Sequence, residues 1–448
     1  MSSMNFESAK KILIDEAVRC GLEDYEIYFT QGTSISAETL KDELSSFASG
    51  SGAGISFRCI VGGHIGVAAT ELFAEDELRS LVKRAMDNAA VIENDDLAII
   101  YGGSEEYAVC EKPAFEMPGA ADIRKLALDI QARTYAGSDL VVDGTQSSVF
   151  AAVDRYELVN SKGLELSNTV SLGGAYVVAV VNKDGEAQEE FEFALGYDNT
   201  EELSKKALDG AIAKLGSTSV DSGKYKVILS GSQMRSMLAT FSSAFSGKQA
   251  LLGMSLLAGK EGQTVASDKV TIVDDALYAG SMVQTAFDGE GVATYTKNVV
   301  ENGVLKTLLY DLASAHKAGV KSTANGQRAS YAQQVNIAPF TFYIKGGELS
   351  EDELLAKMGD GIYVTELKGM HAGASAVTGD FSLESAGYIV KDGKKQAYAK
   401  GFTVAGNFFE MLKSIEDMAN EVHFGIPGGF TVFGAPDVLI SEMSVAGV

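Results

Sequence analysis

Tryptophan is absent from this 448-residue chain, proline occurs five times, histidine four times and cysteine three times. So few prolines leave no room for a proline-rich linker or recognition segment. Cys20, Cys59 and Cys110 lie far apart, odd in number and without a C-x-x-C pair. That pattern argues against a disulfide framework and for a reducing, cytoplasmic setting. Long apolar runs are missing as well: the longest uninterrupted one covers residues 175–181, and the N-terminus leads straight into a charged amphipathic stretch. Neither a membrane span nor a signal peptide is expected. Positive charge is scarce too, with 37 Lys+Arg against 61 Asp+Glu and a formal net charge of −24. Nucleic acid or an anionic membrane would have to be approached against repulsion, so neither is expected as a direct partner.

The shortage of histidine limits metal chemistry. Zinc hydrolases usually place two His one helical turn apart and add a third ligand, leaving one position open for water. His64, His316, His371 and His423 contain no such pair. There is also no G-x-S-x-G elbow, no phosphate-binding G-x-x-x-x-G-K-[ST] loop and no dinucleotide fingerprint following a strand. Gly50-Ser51-Gly52-Ala53-Gly54 invites a phosphate-cradle reading, but strand-like sequence flanks it on both sides, which favours a hairpin or bulge.

What is present is a globular composition, 46% hydrophobic and 22% charged, with 48 glycines suited to tight turns. The length suggests about two to four domains or subdomains. Apolar periodicity predicts helices over 6–20 and 78–89, with short strands at 25–29, 34–39, 55–60 and 65–70, the last two joined by Gly62-Gly63. Residues 95–120, with Pro113 and Pro118, read as a linker. Beyond it come a helix around 123–130, strands over 141–193 turning at Ser161-Lys162-Gly163 and Lys183-Asp184-Gly185, and a helix opened by an Asn199-x-x-Glu202 capping box. The remaining half reads as β-structure interrupted by four helices, at 233–245, 311–318, 350–358 and 407–418. Hairpins are expected at Glu301-Asn302-Gly303 and Lys391-Asp392-Gly393.

Among chemical residues, Gly369-Met370-His371-Ala372-Gly373 followed by Gly379-Asp380-Phe381 draws attention. Small residues let backbone approach a ligand closely, while His371 and Asp380 would supply a donor and a carboxylate. A plain turn, with Asp380 bonding its own backbone and His371 packed between strands, is an equal alternative. His316, on the helix with Leu312 and Ala315, reads as structural or surface, and His64 and His423 have no partner signal.

Five ordered phrases resemble the TldD/PmbA family of peptide-processing and modulator-of-gyrase proteins: Phe287-Asp288-Gly289-Glu290-Gly291-Val292, Val300-Glu301-Asn302-Gly303-Val304-Leu305-Lys306, Ser322-Thr323-Ala324-Asn325-Gly326, Ser375-Ala376-Val377-Thr378-Gly379-Asp380-Phe381-Ser382 and Thr403-Val404-Ala405-Gly406-Asn407. Near the N-terminus, G-x-x-x-R-x-x-x-G-G-x-x-G from Gly54 through Arg58 to Gly66 resembles the family's Gly-rich strand pair. The resemblance covers nearly the whole chain. It implies, for the TldD branch, zinc held by H-E-x-x-x-H on a helix after a strand and by a Cys near the C-terminus. The matching window here is Ala239-Thr240-Phe241-Ser242-Ser243-Ala244, and the Cys region matches His423-Phe424-Gly425-Ile426. Ala239 and Ala244 have no lone pair to offer, and Thr240 stands where the general base would be.

The chain therefore looks like the PmbA (TldE-like) branch. The resemblance implies no metal in this chain, zinc on a TldD-type partner in a heterodimer, and action on unfolded or small peptides. His371, Gly379, Asp380 and Phe381 are the candidates for peptide binding or cavity lining, with His371 and Asp380 as the catalytic candidates. Two rivals stay open: a hydrolase in its own right around His371, Asp380 and His316, and a stand-alone homodimeric peptide-binding protein. Pattern and resemblance together give an α+β protein. Its N-terminal α/β unit with mainly antiparallel strands covers 1–112, a middle α+β unit packing with it covers 119–220, and a strand-rich, barrel-like domain with a few helices covers 224–448.

Overall fold

The structure is a computed structural model describing residues 5–93 and 97–447. Its N-terminal half is built on one six-stranded antiparallel sheet in the order β3-β2-β1-β4-β5-β6. The strands are β1 Tyr25–Leu40, β2 Glu43–Val61, β3 His64–Thr70, β4 Gln146–Asn160, β5 Glu165–Lys183 and β6 Glu186–Leu195. Four helices belong to it: α1 Phe6–Arg19, α2 Glu75–Ala90, α3 Ala120–Ala136 and α4 Thr200–Ala213. Successive side chains on a strand point to opposite faces. Ile27 and Phe29 therefore share a face with Ile35 and Ala37. At one end that face packs on Leu13 and Ala17 of α1 and on Leu81 and Ala85 of α2. At the other it packs on Ile123 and Ile130 of α3 and on Leu203 and Ala207 of α4. One sheet thus runs through both the first and the second segments of the chain.

The two short strands expected at 25–29 and 34–39 are one strand. The polar stretch Gln31–Ser34 looks like a break, yet β1 pairs through it with β2 on one side and β4 on the other. Backbone pairing needs no apolar side chains where a face meets solvent or a cleft. At Gly32 a Cβ would lie 2.3 Å from an Asp154 carboxylate oxygen, so any larger residue there would have to displace that side chain. Gly50 to Gly54 likewise form neither hairpin nor bulge but uninterrupted β2, paired with residues 30–34 of β1. The Gly62-Gly63 turn between β2 and β3 forms as expected, both residues with positive φ.

The C-terminal half starts with β7 Gly223–Leu229 and α5 Gly231–Phe241, followed by a 3-10 turn over Ser242–Phe245 and α6 Gly247–Leu251. Next come β8 Ile272–Asp275, β9 Lys297–Glu301, β10 Val304–Leu305, α7 Leu312–Ala318, β11 Gly326–Gln327, β12 Asn336–Ile337, β13 Thr341–Ile344 and α8 Glu351–Met358. The chain ends with β14 Gly361–Lys368, α9 Met370–Gly373, β15 Asp380–Lys391, β16 Lys394–Asn407, α10 Phe408–Lys413, β17 Ile415–Met418, β18 His423–Phe424, β19 Val432–Ala435 and β20 Val438–Ala446. Pairing of β16 with β20 closes β7, β14, β15, β16 and β20 into a five-stranded barrel. A second sheet runs β10-β9-β8-β13-β19-β18. Val227, Ile362, Leu383, Val404 and Ile440 of the barrel share a core with Met234, Met237, Leu238 and Phe241 of α5 and with Phe342 of the second sheet.

The α+β class and the barrel-like C-terminal half are as expected, while local details differ. Ser350 and Glu353 make the full reciprocal capping box on α8. Asn199 stands at the N-cap of α4 but its side chain makes no capping bond. The helix expected at 407–418 stops at Lys413, and Ile415–Met418 pairs with β20 instead. The hairpin at Glu301-Asn302-Gly303 forms with shorter strands than the pattern suggested, and that at Lys391-Asp392-Gly393 with longer ones.

Candidate functional site

Helix α5 follows β7, and Met234, Met237, Leu238 and Phe241 bury its inward stripe. On its outer side the Thr240 hydroxyl donates to the Ser236 carbonyl at 2.8 Å and lies 3.3 Å from Met370 Sδ. The α-helix ends at Phe241, so Ala244 falls on the following 3-10 turn, out of helical step with Ala239. These positions do not fit zinc: two have no donor atom and the third has its hydroxyl committed to its own helix. Among the described residues, no group of three His, Cys, Asp or Glu is arranged to hold a metal ion.

The junction between α5 and β18 carries other chemistry. Arg235 donates from Nη1 to the Phe424 carbonyl at 2.8 Å and stacks 5.7 Å from the Phe193 ring centroid. Burial lowers its pKa from the ordinary value. His423 packs so closely on Gly231 that a Cβ there would lie 2.4 Å from the ring. Its Nε2 is 3.9 Å from Asp437. The Asp437 carboxylate is already occupied by the Gly231 N–H at 2.6 Å and the Tyr363 hydroxyl at 2.9 Å. Desolvation raises its pKa despite those donors. The Arg235 guanidinium adds a fixed positive charge to a junction that also carries His423 and Asp437, which disfavours a bound cation there.

The loop residues singled out in the sequence lie elsewhere. Asp380 opens β15 exposed to solvent and accepts from Asn407 Nδ2 at 3.0 Å, which holds its carboxyl below the ordinary value. Phe381, one residue on, points to the opposite face and is buried against Phe241 in the barrel core. Gly379 adopts φ 79°, and a Cβ there would lie 2.8 Å from the Asn407 amide. His371 is exposed on α9, next in sequence to Met370, whose Sδ meets the Thr240 hydroxyl. His316 lies in the last turn of α7. None of His371, Gly379, Asp380 and Phe381 lines the large cleft described next.

That cleft, about 630 Å³ in volume, opens between the free face of the N-terminal sheet and the C-terminal half. Tyr28, Asp154, Tyr156 and Leu172 come from β1, β4 and β5, and Arg328, Tyr331, Pro427 and Phe430 from loops opposite. The Tyr156 and Phe430 rings meet at 4.9 Å, edge on face. The Tyr156 hydroxyl donates to Thr285 Oγ1 at 2.8 Å and accepts from Asn168 Nδ2. Burial keeps both phenols neutral, raising Tyr28 to about 12 and Tyr156 beyond that. Tyr331 lies flat against Gly54, where a Cβ would sit 2.2 Å from its ring, so glycine at that point of β2 makes room for it.

Beneath the cleft, Glu26 is fully buried and holds two guanidiniums: Arg58 Nη2 at 3.0 Å and, on its other oxygen, Arg328. Arg328 also lies 4.7 Å over the Tyr28 ring. Sequence reasoning missed these cleft residues. The available signals were that Gln327–Tyr331 directly follows the Ser322–Gly326 phrase, and that Arg58 is the charged residue of the Gly-rich strand pair.

Comparison with family models matches residues 222–447 to the PmbA/TldA metallopeptidase C-terminal domain, 25–89 to its domain 1 and 113–215 to its central domain. The chain belongs to the PmbA/TldD metallopeptidase family. Metalloprotease PmbA of Escherichia coli O157:H7 is 23% identical over 458 residues, covering 98% of this chain and 97% of PmbA. A Thermotoga maritima protein, proposed as a modulator of a DNA gyrase, superposes with a TM-score of 0.89 at 28% identity, covering 99% of this chain and all of that one. TldE of Thermococcus kodakarensis shares the fold, with a TM-score of 0.88 at 20% identity over 97% of this chain and all of TldE. Within this PmbA/TldD chain, no helix among the described residues is long and apolar enough to cross a membrane.

Proposed function

We propose that this chain is a non-catalytic, substrate-holding subunit of a TldD/TldE-type zinc metallopeptidase, of the PmbA branch, acting on unfolded or small peptides in the cytoplasm. The observation that carries this reading is the pairing of Ala239, Thr240 and Ala244, which offer no set of zinc ligands on α5 and the 3-10 turn after it, with a large cleft lined by Tyr28, Tyr156, Leu172, Tyr331 and Phe430. Peptide is held here and cut at zinc supplied by a TldD-type partner. Strand β3 covers β2 only from Ile55 onward, so over 43–54 the outer edge of β2 has no strand partner among the described residues, and Gly54 at the end of that stretch lies against the cleft residue Tyr331. An extended peptide can add to such an edge through backbone hydrogen bonds, with little demand on its side chains. The charge of −24 favours basic or neutral peptides over nucleic acid. The test is reconstitution: the chain mixed with a TldD-type protein cleaves an unstructured peptide in a chelator-sensitive way, whereas cleavage by the chain alone would overturn the reading.

A further inference from the structure

The loop over 327–338 is a partition with the cleft on one side and a second cavity of about 220 Å³ on the other, and Arg328 lines both. Nothing in the function proposed above uses the second cavity. Its polar wall holds Arg58, Arg328 and Glu290, all more than nine-tenths buried, together with Lys248; its apolar wall includes Ile65, Val67 and Val335.

The polar wall has donors in excess. The two guanidiniums share the single carboxylate of Glu26, and the Nε of each is buried without an acceptor. Unmet buried donors of this kind are costly, and the two side chains that carry them line the cavity. Neighbouring acids do not supply an acceptor. Asp288 spends its oxygens on the backbone N–H groups of Glu290, Val292 and Gly326, at 2.9, 3.0 and 3.0 Å. Asp311, which also lines the cavity, takes both the N–H and the hydroxyl of Ser314 on Oδ1, and no ion pair joins it to either arginine among the described residues. Glu290 accepts from the Leu312 N–H at 2.9 Å, and burial, with Asp288 nearby, raises its pKa so that near neutral pH it carries a proton.

We infer that this cavity binds the carboxylate end of a small branched aliphatic ligand, its acceptor oxygens meeting Arg58 and Arg328 and its aliphatic group lying on Ile65, Val67 and Val335. Guanidinium pairs suit planar carboxylates, and the volume, below the roughly 300–1,000 Å³ of larger ligand pockets, fits one residue. A peptide C-terminus ending in valine or leucine and a free branched-chain acid both present this chemistry. The inference concerns the single chain and does not depend on any partner subunit.

Calorimetric titration of the full chain with acetyl-Gly-Val, acetyl-Gly-valinamide and isovalerate tests it. At least one free carboxylate binds about tenfold or more tightly than the amide, the expected cost of losing a charge-assisted contact. Binding of the peptide alone names a C-terminus as the ligand, and binding of isovalerate alone names a free acid. Val335→Trp, which fills the cavity while leaving Glu26, Arg58 and Arg328 themselves unsubstituted, abolishes binding. Should that variant fail to fold, methyl NMR of the unaltered chain locates the ligand by shifts at Ile65, Val67 and Val335. Equal affinity for acid and amide, no binding by any probe, unchanged binding by a folded Val335→Trp, or shifts elsewhere would each overturn the inference.

Discussion

Glu26 and Arg328 are 302 positions apart in the chain and meet as a buried ion pair, with Arg58 on the other carboxylate oxygen. This contact ties the N-terminal sheet to the loop that walls the cleft. Around it, Tyr28, Tyr156, Leu158, Phe287 and Val432 form an apolar cluster drawn from both halves of the chain. The relative position of the halves, and so the shape of the cleft, rests on that combination.

Removing the Glu26 charge leaves two buried guanidiniums without their counter-charge. Glu26→Gln is expected to lower stability in urea denaturation by about 3–5 kcal/mol, the usual penalty for breaking a buried ionic group while its partners stay. A loss under about 1 kcal/mol would mean that water reaches the pair.

The pH dependence of stability has a definite sign. Glu290 is raised from 4.5 to about 8, first by burial and then by Asp288, and Asp288 is itself raised by burial. In the folded chain these groups keep protons that the unfolded chain releases in the ordinary carboxylate range. Their contribution therefore declines as pH rises from about 5 to 8 and is level above that. Thermal melts over this range should show a falling Tm, and Glu290→Gln should flatten most of the slope. A wild-type Tm that rises over this window would contradict the assignment.

Gly54→Val tests the cleft directly. The added side chain occupies the place of the Tyr331 ring and pushes it from the wall of the cleft. Peptide affinity, read by fluorescence anisotropy with a labelled unstructured peptide, should fall about tenfold. A loss of about 1–3 kcal/mol in stability is expected from the strain. Unchanged affinity would place peptide binding elsewhere.

His371→Ala and Asp380→Ala separate the proposed function from a hydrolase built on those residues. Asp380 is exposed and bonded to Asn407, and His371 is exposed on a one-turn helix. In the reconstituted peptidase both variants should keep kcat within about twofold, in line with the small effects of surface substitutions. A loss of a hundredfold or more in either would give these residues a catalytic role.

Much of the fold was legible in the sequence because apolar periodicity reports directly on packing. Helices α1, α2 and α5 bury the stripes their spacing indicated, and the glycine turns at 62–63 and 392–393 follow from residues that tolerate positive φ. Strand β1 looks like two strands in sequence because its middle faces a cleft and solvent, where apolar alternation vanishes while backbone pairing continues. That Ala239, Thr240 and Ala244 are poor in zinc donors is a matter of residue identity, which a sequence displays directly, whereas the end of α5 at Phe241, short of Ala244, is not. The cleft could not be read, since Tyr28, Tyr156, Arg328 and Phe430 come together only through long-range packing and none carries a local motif. Phe381 misled for the opposite reason: it stands in a family phrase beside Asp380, yet strand alternation sends it into the core.

The central claim is tested most directly by peptide cleavage and bound zinc measured together on three samples: this chain alone, a TldD-type protein alone, and the two combined. This chain alone is expected to hold no stoichiometric zinc and to cleave nothing, and the mixture to show chelator-sensitive cleavage that exceeds that of the TldD-type protein alone. Stoichiometric zinc with robust chelator-sensitive cleavage by this chain alone would contradict it.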